Sequence, residues 1–102
     1  MSVKKTPKRF NKELIRQLEG RNVVREALRA GTPVTKIYLE EGMTLDDRLQ
    51  EIHHIALKNK IEMVRLSSNR LRRMSKTEGH HQGIIAEAAI EEEYTVKEIL
   101  EV

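Results

Sequence analysis

The stretch Val34 to Leu66, VTKIYLEEGMTLDDRLQEIHHIALKNKIEMVRL, decides the fold class of this chain. Its opening, VTKIYLEEG, is rich in β-branched and aromatic residues that suit a pleated strand, and Gly42 ends it. Thr44 and Asp47 then stand at the spacing of a capping box. Beyond them Leu45, Leu49, Ile52, Ala56 and Leu57 recur at helical intervals up to Lys60. The following IEMVRL shows little alternation, as expected of a strand buried on both faces. Strand, helix and strand in that order predict a sheet that is at least partly parallel, with helices packed against it, in an α/β domain.

Working outward, residues 21–30 are helical in pattern. Val23, Val24, Ala27 and Leu28 share one face, Arg21, Arg25 and Arg29 form a stripe on another, Asn22 is the expected cap, and Gly31 with Pro33 is a stop signal. LIRQLEG, ending at Gly20, is read as a short strand or a turn of helix. After the central unit, Ser67 or Ser68 caps a short helix with Leu71 and Met74 facing inward and Arg70, Arg72, Arg73 and Lys76 facing out. GIIAEAAI then reads as a strand with Ile84, Ala86, Ala88 and Ile90 on one side. YTVKEILEV, from Tyr94, departs from that pattern and reads as a docked terminal helix or a linker.

The 102 residues suffice for one domain with a single core and tails. With 38% hydrophobic and 34% charged residues, and no apolar run near the roughly 20 residues of a membrane span, the chain is expected to be soluble and cytoplasmic. The absence of cysteine excludes disulfides, thiolate catalysis and cysteine-ligated zinc. The net charge of +3 hides an asymmetry, because basic residues crowd the start (Lys4, Lys5, Lys8, Arg9, Lys12) and acidic ones the end (Glu91, Glu92, Glu93, Glu98, Glu101). A basic arm beside a basic helix face suits a polyanion. Phe10, Tyr38 and Tyr94 are too few aromatic residues for a binder that works by stacking bases, so nucleic-acid contact would rest on charge and hydrogen bonds.

The histidines could suggest a metal. His53 and His54 are adjacent on the central helix and point about 100° apart, so they cannot form a helical metal pair. His80 and His81 lie in a polar turn bracketed by Gly79 and Gly83, whose backbone freedom lets peptide groups approach a ligand closely. Ser75 or Thr77 beside His80 would be the candidates for a nucleophile and base, but sequence proximity establishes no triad. Display of polar groups on a loop is the favoured reading of this turn. Arginine adds a planar fork of donors suited to phosphate.

Three segments together, LEGRNVVREALRAG, VTKIYLEEG and IALKNKIEMVRLSSNRLRRMSKTEGHHQGIIA, resemble the N-terminal substrate-binding domain of the SpoU (TrmH) family of RNA 2′-O-ribose methyltransferases. The likeness runs from about Leu18 to Ala88, and GRNVVREAL and HQGIIA carry it most specifically. It implies a three-layer α/β/α domain with a mixed sheet of about four strands, similar to ribosomal proteins that bind kink-turn RNA. It also implies a disordered basic arm over 1–13, an RNA-binding domain over 14–91, and the start of a linker over 92–102 to an absent methyltransferase domain. S-adenosylmethionine, the catalytic residues and the homodimer contact would belong to that domain, so this chain alone would bind no cofactor and be no enzyme. The expected partners are RNA, ribosomal RNA foremost, and its own catalytic domain, with no membrane. Phosphates would meet Arg21, Arg25, Arg70, Arg72, Arg73 and Lys76, while Asn22, Thr77, His80, His81 and Gln82 would bond to bases or 2′-hydroxyls. The rival reading is a protein-interaction domain that packs on its own catalytic domain or on a ribosomal protein.

Overall fold

The computed structural model describes residues 9–92 apart from Glu78 and His80, with side chains described from Leu14 to Ile90. The elements run β1 (Arg9–Glu19), α1 (Arg21–Arg29), β2 (Val34–Glu40), α2 (Asp47–Lys58), β3 (Glu62–Leu66), α3 (Ser68–Met74) and β4 (Ile84–Glu92). They build one four-stranded sheet in the order β1-β4-β2-β3. Only β2 and β3 are parallel, joined by the α2 crossover that the central stretch predicts; β4 inserts antiparallel between β1 and β2. The α/β expectation with a mixed sheet holds.

Alternation along β4 divides the core. Ile84, Ala86 and Ala88 join Leu18, Val24, Leu28, Ile37, Leu39, Leu49, Ile52 and Ala56 in the main cluster, which α1 and α2 cover. Ile85 and Ala89, on the opposite face of β4, are buried but lie outside that cluster, as does Leu71 of α3. Helix α3 therefore covers the other face, starting after β3 and reaching β1, where the Met74 carbonyl accepts a 2.8 Å hydrogen bond from the Gln17 side chain.

Several local expectations are corrected. Of the residues expected on one side of GIIAEAAI, Ile84, Ala86 and Ala88 enter the core but Ile90 is exposed, and β4, between β1 and β2, is covered on its other side as well. IEMVRL was expected to be buried on both faces, but β3 is an edge strand and only partly covered. Leu57 belongs to the helical periodicity of α2 but not to its buried stripe, being 64% exposed. The segment before Gly20 is a strand from Arg9 onward, so Arg9, Phe10 and Asn11 of the expected arm pair with β4, with a register shift between Asn11 and Ile15. Residues 1–8 and 93–102, the remainder of the arm and most of the expected linker, lie outside the described residues.

The helix ends carry further corrections. Asp46, not Thr44, caps α2, its carboxylate accepting from the Leu49 N–H at 2.9 Å. Ser67 caps α3. Gly20, not Asn22, is the N-cap of α1, and it has no side chain to give. The Gln82 side chain arrives instead from the turn before β4, and its Oε1 accepts from the Arg21 N–H at 3.1 Å. At the far end of α1, Thr32 N–H bonds to Ala27 C=O and Gly31 N–H to Leu28 C=O, with Gly31 at φ 76. This is the left-handed closure that glycine adopts without a Cβ penalty.

Candidate nucleic-acid interface

Because β4 runs against its neighbours, the C-terminal ends of β1, β2 and β3 and the N-terminal end of β4 share one edge of the sheet. The start of α1, the start of α2 and the 75–83 turn are therefore gathered at that edge. The sequence separates Glu19 from Thr77 by 58 positions, yet the two side chains meet.

Glu19 organises the turn. Its carboxylate accepts from the Ser75 hydroxyl at 2.5 Å, the Lys76 backbone N–H at 2.7 Å, the Thr77 hydroxyl at 2.7 Å and the Gln17 side chain at 3.0 Å. Burial works to raise its pKa, but these hydrogen bonds to the charged form outweigh burial and bring it down to about 2. Glu19 is thus an anion at neutral pH and fixes the backbone and hydroxyls of residues 75–77. Sequence reasoning passed over it, since one glutamate before a glycine carries no pattern.

The glycine-bracketed turn is built just as specifically. His81 Nδ1 accepts from the Gly83 N–H at 3.0 Å, which leaves the proton of the neutral ring on Nε2. Gln82 stands at φ 51 and Gly83 at φ 77. A Cβ on Gly83 would come within 2.6 Å of the Met43 sulfur, which can swing aside, so it is the left-handed conformation that calls for glycine at this position. Gly83 C=O also accepts from Glu40 N–H at 3.0 Å, tying the turn to the end of β2. HQG is therefore a structural clasp as well as a polar display.

The arginine stripe of α1 turns toward α2. The Arg21 guanidinium meets Asp46 at 2.6 Å and the Gln82 carbonyl at 3.4 Å, while Arg29 makes a two-pronged pair with Glu51 at 2.7 Å. The Leu49 N–H and Arg21 hold Asp46 below the usual carboxylate range, and Arg29 does the same for Glu51. Arg25, between them, has Glu26 at 3.9 Å, and its Nε is buried without a partner. Arg21 and Arg25 were expected to meet phosphate; here Arg21 is engaged within the fold and Arg25 is three-quarters covered. Asn22 is exposed in the first turn of α1.

The basic residues of α3 are placed differently. Arg70, Arg72, Arg73 and Lys76 are all exposed, and among the described residues none of them takes part in an ion pair. Arg72, Ser75, Lys76, Thr77, Gly79 and His81 line a shallow hollow of about 370 Å³ at the end of the helix. The structure thus brings together Arg72, Lys76, Thr77 and His81, with Gln82 adjoining; His80 lies outside the described residues. Ser75 and Thr77 donate to Glu19 and not to a histidine base among the described residues. Among those residues there is also no group of histidine, aspartate and glutamate side chains that could hold a metal, and no helix long and apolar enough to cross a membrane.

Known proteins match this sequence. Residues 17–94 fit the profile of a family described as RNA 2′-O ribose methyltransferase substrate binding, the SpoU type. The chain belongs to that family. Similar proteins include an uncharacterized tRNA/rRNA methyltransferase of Mycolicibacterium gilvum, 42% identical over 65 residues, and one of Mycobacterium bovis, 46% identical over 66 residues. Each match covers 64% of this chain but only 20% of the relative, so the chain spans about a fifth of the length of the proteins it matches. In this SpoU substrate-binding domain the Arg21–Gln82 contacts join the GRN segment at the start of α1 to the HQG segment before β4.

Proposed function

We propose that this domain binds RNA, ribosomal RNA foremost, through α3 and the 75–83 turn, and presents it to a ribose 2′-O-methyltransferase unit that acts as a homodimer. The observation that carries the reading is the exposed set Arg70, Arg72, Arg73 and Lys76, unpaired among the described residues, of which Arg72 and Lys76 line a hollow whose Ser75 and Thr77 hydroxyls are held by Glu19. Unpaired arginines on a surface are suited to phosphate, and fixed polar groups beside them can read sugar or base edges. S-adenosylmethionine would belong with the catalytic unit. The cationic hollow lined by Arg72 and Lys76 does not suit its sulfonium charge, and no methyl-transfer step is assigned to these residues.

The salt dependence of RNA binding tests this. Binding of a structured ribosomal RNA fragment should weaken linearly on a log–log plot against salt, and Arg72→Ala with Arg73→Ala should flatten the slope by about 0.7 to 0.9 for each phosphate that is no longer neutralised. A slope unchanged by the double substitution, together with failure to associate with a separately supplied catalytic domain, would make the surface a protein interface.

A further inference from the structure

The hydroxyl of Thr77 lies 2.7 Å from Glu19 Oε1. An ionised carboxylate can only accept, so the hydroxyl proton is committed to Glu19 and the lone pairs of Thr77 Oγ1 remain as acceptors. Ser75 is spent within the turn: its hydroxyl lies 2.5 Å from Glu19 and 2.6 Å from the Thr77 carbonyl, and accepts from the Thr77 N–H at 3.3 Å. Thr77 is exposed and lines the same hollow as Arg72, Lys76 and His81, whose free polar groups are all donors. The hollow therefore offers donors for phosphate and one hydroxyl oxygen set to receive a proton.

An RNA backbone matches that pair of demands where DNA does not. Both carry phosphates, but only RNA has a 2′-hydroxyl with a proton to give. We propose that Thr77, fixed as an acceptor by Glu19, receives the hydrogen bond of a ribose 2′-hydroxyl in a strand whose phosphates Arg72 and Lys76 hold, and so makes the hollow prefer RNA over DNA. The inference rests on the RNA-binding reading above and gives it a chemical basis for telling the two nucleic acids apart.

Fluorescence anisotropy of the full chain tests it with labelled strands of one base sequence, that of the same structured ribosomal RNA fragment, in ribo, 2′-deoxy and 2′-fluoro forms. The 2′-fluoro strand keeps an RNA-like sugar pucker but has no proton to donate, so the wild type should bind it with the affinity it shows for DNA. Thr77→Val should lower the RNA-over-DNA affinity ratio by about three- to tenfold, the worth of one hydrogen bond, and Thr77→Ser should preserve it. Arg72→Ala with Lys76→Ala should weaken all strands together and leave the ratio intact. A wild type that binds RNA but binds the 2′-fluoro strand equally well, or a ratio unchanged in Thr77→Val, overturns the assignment and leaves RNA binding standing. A wild type that binds no strand overturns the RNA-binding reading, and this inference with it.

Discussion

At Glu19 the hydrogen bonds from residues 75–77 and Gln17 converge on one carboxylate, and the pH dependence of stability should report it. Its folded pKa of about 2 lies below the ordinary 4.5, so its contribution is complete above the ordinary value and is lost as pH falls toward the folded one. The contribution is on the order of 1 to 2 kcal/mol once screening of this partly exposed group by solvent is allowed for. Urea unfolding of wild type and Glu19→Gln should therefore differ most near neutrality and converge between about pH 5 and pH 2. A difference independent of pH would remove Glu19 from this role. None of this was legible in the sequence, because Glu19 and its partners are brought together only by the pairing of β1 with β4 and the path of α3 across the sheet.

Among the elements, the strands and helices between Val34 and Leu66 were legible because periodicity 2 and periodicity 3.6 are local signals. What sequence reading missed depends on neighbours. The burial of β4 on both faces follows from its place in the strand order, and the pairing of Arg21 with Asp46 and of Arg29 with Glu51 follows from the packing of α2 beside α1. The closure of α2 was hidden too, since Lys60, at φ 57, occupies a position usually given to glycine. The start of α1 offers a test of such nonlocal support. Gln82→Ala removes the acceptor for Arg21 N–H and should cost about 0.5 to 1 kcal/mol in urea unfolding, as loss of an N-cap does. Gln82→Glu keeps an acceptor and adds a negative charge favoured at a helix N-terminus, so its stability should equal or exceed the wild type's. Equal stability of Gln82→Ala and wild type would mean that the contact contributes nothing.

For the whole molecule, the sheet separates two ends of different character. One end gathers the Glu19-held turn, the clasp of His81 and Gly83, and the cationic reach of α3; the other carries a hollow lined by Gly31, Thr32, Pro33, Ala89 and Ile90, with Arg16 as its cation. The exposed basic face of α3 was legible from residue chemistry, whereas the contacts that Arg21 and Arg29 make with α2 were not, because the fold supplies their partners. The central claim is that RNA meets the end built from α3 and the 75–83 turn. Titration of the isotopically labelled chain with a ribosomal RNA fragment, followed by amide chemical-shift changes, tests it most directly. The account predicts the largest changes at Arg70 to Thr77 and at His81 to Gly83, with little change at Gly31, Thr32 or the exposed residues of α2 such as His54 and Lys58. Changes concentrated at Gly31 to Pro33, or spread evenly over every exposed basic residue, would contradict it.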